Sequence, residues 1–359
     1  MVSRLSLRRV LALEAVRQIQ KRNIDEHPLR QLFWECTLRC NLRCQHCGSD
    51  CKVTAGTKDM PKEDFLRVLD EIAARTDPHK VFVILTGGEP TMRADLEECG
   101  RAIYDKGFPW GMVTNGMMLT PERFECLLRS GMHSATVSLD GFEDDHNWMR
   151  GNPQSFRRAV EAVKMMIAHE GFLFDVVTCV NRRNIGRLPE FRDWLVELGL
   201  TNWRLFTVFP SGRAVGNDDL QLTPDEFHRL MAFIRDTRRD GRIRASYGCE
   251  GFLGNYEGDV RDTFFFCQAG VSVASVLADG SISACASIRS DYHQGNIYTD
   301  HFMDVWEQHF RPFRDRSWMK QGECADCRFF RYCRGGGMHL RDGDGQLAFC
   351  HLHRFDLLR

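Results

Sequence analysis

The chain has 359 residues, enough to bury one large domain and a smaller one. Its 48 lysines and arginines nearly balance its 49 aspartates and glutamates, so the overall charge disfavours binding to nucleic acid. Fifteen cysteines occur without an apolar leader or a run of apolar residues long enough to cross a membrane. This combination predicts a protein with no transmembrane segment that is kept reduced, by default in the cytoplasm.

Residues 1–30 form a basic amphipathic segment. Apolar residues recur at helical spacing along this segment. It carries seven basic residues and only three acidic ones. The segment is predicted to be a helix. It either packs on the barrel that follows, with its arginines in solvent, or contacts an anionic membrane or an acidic partner.

From residue 31 to about residue 240, short β-branched or aromatic runs alternate with stretches of helical periodicity. Six runs are predicted as strands: 32–34, 81–85, 110–113, 135–139, 173–178 and 204–209. Thr120-Pro121 and Thr223-Pro224 are predicted to begin helices, the second with a capping box completed by Glu226. Strands that alternate with helices predict an α/β fold with a parallel sheet, whose chemistry gathers at the carboxyl ends of the strands.

A cysteine-rich loop follows the first predicted strand. Five cysteines fall within sixteen residues, at positions 36, 40, 44, 47 and 51. Cys40, Cys44 and Cys47 have the spacing C-x3-C-x2-C, and three thiolates suit a [4Fe–4S] cluster whose fourth iron stays open to another ligand. A structural zinc site would need four protein ligands in a tetrahedron, and disulfide frameworks are typical of small secreted chains, so both are disfavoured. Cys36 and Cys51 are predicted to be buried core thiols.

The Cys40, Cys44 and Cys47 run resembles the signature of the radical S-adenosylmethionine (SAM) enzymes, in which the open iron chelates the amino and carboxylate groups of SAM. The resemblance implies a partial (β/α)6 TIM-type barrel over residues 31–240. It also implies reductive cleavage of SAM to a 5′-deoxyadenosyl radical that abstracts hydrogen from a substrate. An electron donor such as flavodoxin or ferredoxin would be a partner.

The same resemblance assigns SAM contacts to residues at the predicted strand ends. These are Gly87, Gly88, Glu89 and Pro90 at the amino group of SAM, Ser138, Asp140 and Arg150 at its ribose and carboxylate, and His46 and the stretch from Leu205 to Val208 near its adenine. For the amino group, either the Glu89 carboxylate or the nearby carbonyls are the predicted acceptors. For Asp140, an ordinary Asp-Gly turn is the alternative.

Residues 241–359 carry a second set of cysteines after a glycine-rich break. The pattern is Cys267-x12-Gly280-x4-Cys285, then Cys324-x2-Cys327-x5-Cys333, and finally Cys350. It resembles the SPASM extension of radical SAM enzymes, which binds up to two auxiliary iron–sulfur clusters and is best known from peptide-modifying members. A zinc ribbon is the alternative, since C-x2-C is also zinc spacing.

Two departures from the SPASM pattern affect what the resemblance implies. Gly337 stands where the family has a further cysteine, so one auxiliary cluster lacks a standard ligand. Cys324, Cys327, Cys333 and Cys350 form a complete set, whereas Cys267 and Cys285 either recruit Cys249, with His339 or the substrate in the last position, or hold no cluster. Ala286 stands where sulfatase-maturing members have an aspartate, which disfavours that activity.

The predicted substrate is a peptide or small protein. Residues 27–51 also resemble a SPASM subfamily named for lipoprotein neighbours, which makes a lipoprotein precursor a candidate partner. The alternatives are radical SAM oxidation of a small molecule, or a non-catalytic iron–sulfur redox or binding protein.

Overall fold

The computed structural model describes residues 5–248, 250–288 and 291–355. Its strands are β1 Gln31–Thr37, β2 Phe82–Gly87, β3 Trp110–Thr114, β4 Met132–Ser138, β5 Leu173–Val180, β6 Asn202–Thr207, β7 Arg244–Tyr247, β8 Val273–Val276, β9 Ser281–Ser283 and β10 Gly295–Asn296. Its helices are α1 Leu7–Glu26, α2 Lys62–Ala73, α3 Leu96–Asp105, α4 Pro121–Arg129, α5 Glu143–Arg150, α6 Ser155–Ala168, α7 Leu188–Leu198, α8 Pro224–Asp240, α9 Phe302–Gln308, α10 Arg311–Arg314 and α11 Phe330–Cys333.

The strands form one sheet in the order β10-β9-β8-β1-β2-β3-β4-β5-β6-β7. Strands β1 to β7 are parallel, which confirms the predicted α/β fold and its six βα units. The capping box at Thr223 is also confirmed, with Glu226 and Thr223 each donating a backbone N–H to the other's side chain. The seventh strand was not predicted, because Arg-Ala-Ser-Tyr has no β-branched run.

The C-terminal third continues the barrel sheet. A hairpin joins β8 to β9, with Val276 opposite Ile282 in an antiparallel pair. Its first strand, β8, also pairs in parallel with β1, and Gln31 lies opposite Val273. The predicted boundary after residue 240 coincides with the end of α8, although β7 still joins the sheet beyond it. The division into 31–240 and 241–359 stays a prediction.

Helix α1 confirms the predicted N-terminal helix but packs on the C-terminal third. Its Gln20 is buried and donates to the carbonyl oxygen of Phe265. Its Glu14 accepts a hydrogen bond from the hydroxyl of Tyr332 at 2.7 Å. These contacts anchor the helix on the C-terminal third, whereas the prediction placed it on the barrel. No helix in the described part of the chain is long and apolar enough to span a membrane.

The two faces of the barrel sheet differ in burial. Trp34 stacks on Phe65 of α2 and Trp203 packs on Phe191 of α7, so the face that carries these tryptophans is covered by helices. On the opposite face, the alternation of side chains along each strand presents half-buried residues to the barrel interior. These include Phe33, Ile84, Val113, Ser138, Val177 and Phe206. The interior side chains therefore stay partly accessible, whereas the helix-facing ones are fully buried.

Candidate active site

The cysteine loop after β1 gathers its three predicted ligands. Cys40, Cys44 and Cys47 pack in one apolar cluster with Cys51 and Leu42. The loop is held from the far side of the barrel by Arg213, which lies beyond β6. Its Nε donates to the carbonyl oxygen of Cys44 at 2.7 Å, and its Nη1 donates to that of Cys51 at 3.1 Å.

The three thiols differ in acidity. The thiol of Cys51 donates a hydrogen bond to Cys47, which lowers the pKa of Cys47 despite its burial. Burial raises the pKa of Cys40 to about 12, and it raises that of Cys44 although Arg150 lies nearby. Because iron binds cysteine as the thiolate, the lowered pKa of Cys47 favours the form that a ligand needs. Cys51, predicted to be a core thiol, is buried and also serves as a hydrogen-bond donor.

The buried side chains of this loop have the chemistry that an iron–sulfur cluster with SAM beside it requires. Three thiols converge in one apolar pocket, and the Nδ1 of His46 is enclosed without a hydrogen-bond partner. Burial lowers the pKa of His46 to about 4, so its ring is neutral at physiological pH. A neutral imidazole with a free nitrogen suits the predicted position beside the adenine.

The Gly-Gly-Glu-Pro loop after β2 lies directly on the cysteine loop. A Cβ at Gly87 would stand 2.1 Å from the carbonyl oxygen of Thr37, and one at Gly88 would stand 2.2 Å from that of Arg39. Gly87 also has a φ of 129°, a left-handed conformation that side chains disfavour. The two glycines therefore allow this loop to approach the backbone that carries Cys40. Pro90 follows them and begins a short 3-10 turn.

The carboxylate of Glu89 is already occupied by protein donors. It is buried, and it accepts from the backbone N–H and hydroxyl of Thr91, the hydroxyl of Thr114 and the backbone N–H of Asn115. Burial raises the pKa of Glu89, against these hydrogen bonds. The carboxylate of Glu89 therefore ties its loop to the end of β3. Whether this carboxylate or the nearby carbonyls accept from the amino group of SAM stays as predicted, with both alternatives open.

We expect Gly88→Ala to displace the cysteine loop, because its new methyl group would overlap the carbonyl of Arg39. The variant should lose the iron bound by that loop and keep the iron bound by the C-terminal cysteines. Gly186→Ala is the matched control, since nothing lies within 4 Å of a Cβ at that position. Iron analysis of both variants after anaerobic reconstitution measures the difference. Equal iron in the two would contradict the role given to Gly88.

A buried ion pair lies beneath the cysteine loop. Asp140, at the end of β4, has no solvent exposure and binds the Nε of Arg150 at 2.6 Å. The guanidinium also reaches Cys44, with Nη1 3.7 Å from Sγ. Asp140 further accepts from the backbone N–H of Cys179 and donates its own N–H to His146. Asp140 thus positions Arg150 beside Cys44, one of the predicted cluster ligands. An ordinary Asp-Gly turn, the alternative for Asp140, would not need this ion pair.

Two other predicted SAM contacts lie on β4 and β6. Ser138 ends β4 and is half-buried on the barrel interior, as a ligand contact requires. The side chain of Leu205 is fully buried on the face that carries Trp203, towards the helices. The neighbouring Phe206 points into the interior instead. Within the stretch predicted to lie near the adenine, Phe206 and not Leu205 faces the interior, and the adenine contact itself stays a prediction.

Four C-terminal cysteines line one small cavity. Cys324, Cys327, Cys333 and Cys350 surround it, with Phe252 and Phe330 among the other lining residues. Burial raises the pKa of Cys350 to about 11. No three His, Cys, Asp or Glu side chains of residues 5–248, 250–288 and 291–355 converge closely enough to hold a single metal ion.

Cys267 and Cys285 do not line that cavity. Cys267 has a lowered pKa, because Arg316 and the backbone N–H of Met338 outweigh the effect of its burial. Cys249 lies outside the described residues. Arg213 and Arg316 were not found by sequence reasoning, and no local signal marks them, because each reaches a cysteine distant in sequence.

Comparisons with known proteins agree with this arrangement. The radical SAM superfamily model matches residues 34–195, and an iron–sulfur cluster-binding SPASM domain model matches residues 267–328. The mycofactocin maturase MftC of Mycolicibacterium smegmatis is 31% identical over 86% of this chain and 77% of its own length. The chain belongs to the radical SAM enzymes that carry a SPASM domain. Their radical SAM and SPASM domains imply iron–sulfur clusters and SAM.

Another relative and two solved structures are also similar to the chain. An AdoMet-dependent heme synthase of Methanosarcina barkeri is 28% identical over 85% of this chain and 90% of its own length. Among solved structures, anSMEcpe with bound AdoMet has a TM-score of 0.71 at 20% identity and covers 92% of this chain and 96% of its own. SuiB of Streptococcus suis, bound to its precursor peptide SuiA, has a TM-score of 0.68 at 17% identity and covers 89% of this chain and 75% of its own. These structural likenesses establish the shared fold.

Proposed function

We propose that this radical SAM enzyme modifies a peptide or small protein by abstracting hydrogen from it. The observation that supports the proposal is the barrel interior, where inward-facing side chains from six strands stay half-buried: Phe33, Ile84, Val113, Ser138, Val177 and Phe206. Side chains that are only partly covered by their neighbours can contact a bound substrate. The similarity to a maturase supports a peptide as that substrate, and a lipoprotein precursor is one candidate.

Each part of the proposed site has a role in positioning SAM. Cys40, Cys44 and Cys47 hold the cluster, while the Gly-Gly-Glu-Pro loop, through its carbonyls or the Glu89 carboxylate, accepts from the amino group of SAM. Arg150 presents a guanidinium to the carboxylate of SAM, and Asp140 fixes its orientation. When bound, the cluster and SAM supply the 5′-deoxyadenosyl radical. The barrel walls then exclude water from that reactive species.

The four cysteines around the C-terminal cavity are proposed to hold a closed auxiliary cluster. Four thiolates leave no open iron, so this cluster would transfer electrons and would not bind substrate. A reducing protein such as flavodoxin or ferredoxin would supply the electron that initiates SAM cleavage.

Oxidation of a small molecule is a second candidate, favoured by the similarity to a heme synthase across nearly its whole length. The two candidates share the SAM chemistry and differ in what enters the barrel.

One experiment separates these possibilities. The protein is reconstituted anaerobically, reduced with SAM, and assayed for 5′-deoxyadenosine, with each peptide encoded beside its gene co-expressed and analysed by mass spectrometry. A mass change in a peptide that requires Cys40 supports peptide modification. Heme formed from added iron porphyrins, with every peptide unchanged, would favour the second candidate. Failure to form 5′-deoxyadenosine with any addition would contradict both.

A further inference from the structure

A pair of opposite charges faces the barrel interior. Arg204 of β6 and Asp175 of β5 alternate with Trp203 and Val176, whose side chains are fully buried towards the helices, so both charged residues point into the barrel. Arg204 is the only lysine or arginine in the described strands β1 to β6. A few polar groups placed in a mostly apolar site commonly fix the orientation of a bound ligand.

Hydrogen bonds hold the guanidinium of Arg204 in one orientation. Its Nε and Nη2 donate to the two carboxylate oxygens of Asp175, the Nη2 contact at 3.1 Å. Nη2 also donates to the hydroxyl of Thr136 on β4 at 2.9 Å. Thr136 donates in turn to Asp175 at 2.8 Å, so the acceptor carboxylate is itself fixed. The guanidinium therefore lies across the interior faces of β4, β5 and β6.

One nitrogen of this guanidinium has no partner. Nη1 of Arg204 makes no hydrogen bond to any residue that the structure describes. The side chain of Arg204 is 42% exposed, compared with 8% for Arg150 in its buried pair with Asp140. An arginine that only filled the barrel would be enclosed as Arg150 is. Arg204 instead keeps N–H donors that a ligand inside the barrel can reach.

Apolar side chains surround the charged pair on the interior face. Phe206 lies beside Arg204, with its ring centroid 5.9 Å from the guanidinium carbon. Val113 of β3 is in register with Thr136, and Ile84 of β2 faces the interior on the next strand. A ligand with an apolar body and one group that accepts hydrogen bonds from a cation matches this surface.

Arg204 lies level with a residue predicted to contact SAM. The register places Ser138 of β4 opposite Val177 of β5, and Val177 opposite Arg204. Neighbouring strands are about 4.8 Å apart, so the backbones at Ser138 and Arg204 are separated by roughly 10 Å. A substrate group held by Arg204 would therefore lie within a few bonds of the predicted SAM position.

A carboxylate is the group that suits the unpartnered Nη1. Hydrogen bonds between arginine and a carboxylate are charge-assisted, so they are stronger than those to a neutral carbonyl oxygen. Asp175 does not prevent such binding, because one guanidinium in this protein already contacts two carboxylates. Arg187 lies 3.5 Å from Asp145 and 3.5 Å from Glu190, through different nitrogens.

We propose that Arg204, through Nη1, binds a carboxylate of the substrate and so determines which part of the substrate lies beside SAM. Asp175 and Thr136 are positioning residues, because they hold the guanidinium and leave Nη1 available. The inference rests on the proposed function, since it concerns the substrate of the same barrel. In a peptide, the carboxylate belongs either to the C-terminus or to an acidic side chain.

The first test uses N-acetylphenylalanine and its carboxamide as probes, which share an aromatic body and differ in the carboxylate. Calorimetric titration of the full-length, reconstituted protein with SAM should show that the acid binds about tenfold more tightly than the amide. Arg204→Gln should abolish this preference, and Arg204→Lys, which keeps the charge, should retain part of it. Arg101→Gln, at an exposed arginine of α3, is the matched control and should preserve it.

Equal binding of the acid and the amide to the native protein would overturn the inference, as would a preference that persists in Arg204→Gln. The comparison of the two probes on the native protein needs no variant, so it decides the matter even if Arg204→Gln fails to fold. Iron content and SAM binding report whether that variant keeps the rest of the site.

Variants of a modified peptide distinguish the two sources of the carboxylate. Replacing its acidic residues by their amides removes side-chain carboxylates, and extending its C-terminus moves the terminal one. One of these changes should abolish the mass change, and modification that survives both would contradict the inference. A native enzyme that modifies a peptide but does not prefer the acid probe would refute the role of Arg204 alone. Preference for the acid without any modified peptide would establish the carboxylate site and contradict the proposed function.

Discussion

Simultaneous replacement of Cys40, Cys44 and Cys47 by alanine should abolish formation of 5′-deoxyadenosine. The three thiols converge in one apolar loop, and no other described cysteine packs into that cluster except Cys51. The variant should lose about four irons per chain, the content of one cubane cluster. The iron held by the C-terminal cysteines should remain, because those cysteines lie in other segments of the chain.

The measurement combines iron and sulfide analysis with chromatography of the SAM products. Cys126→Ala is the control, since this partly exposed thiol lies on α4 and contacts Arg129. It should retain all iron and full SAM cleavage. A triple variant that still cleaves SAM, or that folds but loses all its iron, would show that the SAM cluster is held elsewhere.

Arg150→Ala should destabilise the protein and weaken its binding of SAM. The substitution leaves Asp140 buried without its ion-pair partner, and removing one member of a buried pair costs about 3–5 kcal/mol. Burial would raise the pKa of Asp140, but Arg150 lowers it below its ordinary value. The stabilisation is therefore present at neutral pH and is lost as the pH falls through the lowered pKa.

Urea unfolding and SAM titration separate the two effects. Arg158→Ala removes an exposed pair with Glu161 and should change the free energy of unfolding by about 0–1 kcal/mol. The double variant Asp140→Asn with Arg150→Met should regain much of the lost stability without regaining SAM affinity. If Arg150→Ala were as mild as Arg158→Ala, or bound SAM normally, the ion pair would not have the role assigned to it.

The sequence predicted what depends on local pattern. Six strands, the capping box at Thr223 and the cysteine spacing each arise from neighbouring residues, so they were visible before the structure. Contacts between residues distant in sequence could not be predicted. One example is the hydrogen bond from Arg213 to the backbone of the cysteine loop. The sequence also could not tell which residues of β6 face the interior. Leu205 and Phe206 are both apolar, so alternation of polarity does not separate them.

For some residues that the sequence singled out, the folded structure adds hydrogen bonds that the sequence does not reveal. Glu89 follows a strand end as expected, yet its carboxylate is occupied by Thr91, Thr114 and Asn115. These hydrogen bonds could not be predicted from the sequence, because the donors come from β3 and from the loop itself. Similarly, Cys51 carries no family role, and its hydrogen bond to Cys47 emerges only from the folded loop.

The pairing of β1 with β8 has a consequence for biosynthesis. Gln31 emerges early from the ribosome, but its partner Val273 follows only after most of the chain has been made. Contacts between residues so distant in sequence form late and slowly. The strand that leads into the cysteine loop therefore keeps an open edge throughout translation. We expect iron to be inserted into the finished chain, after this edge has closed.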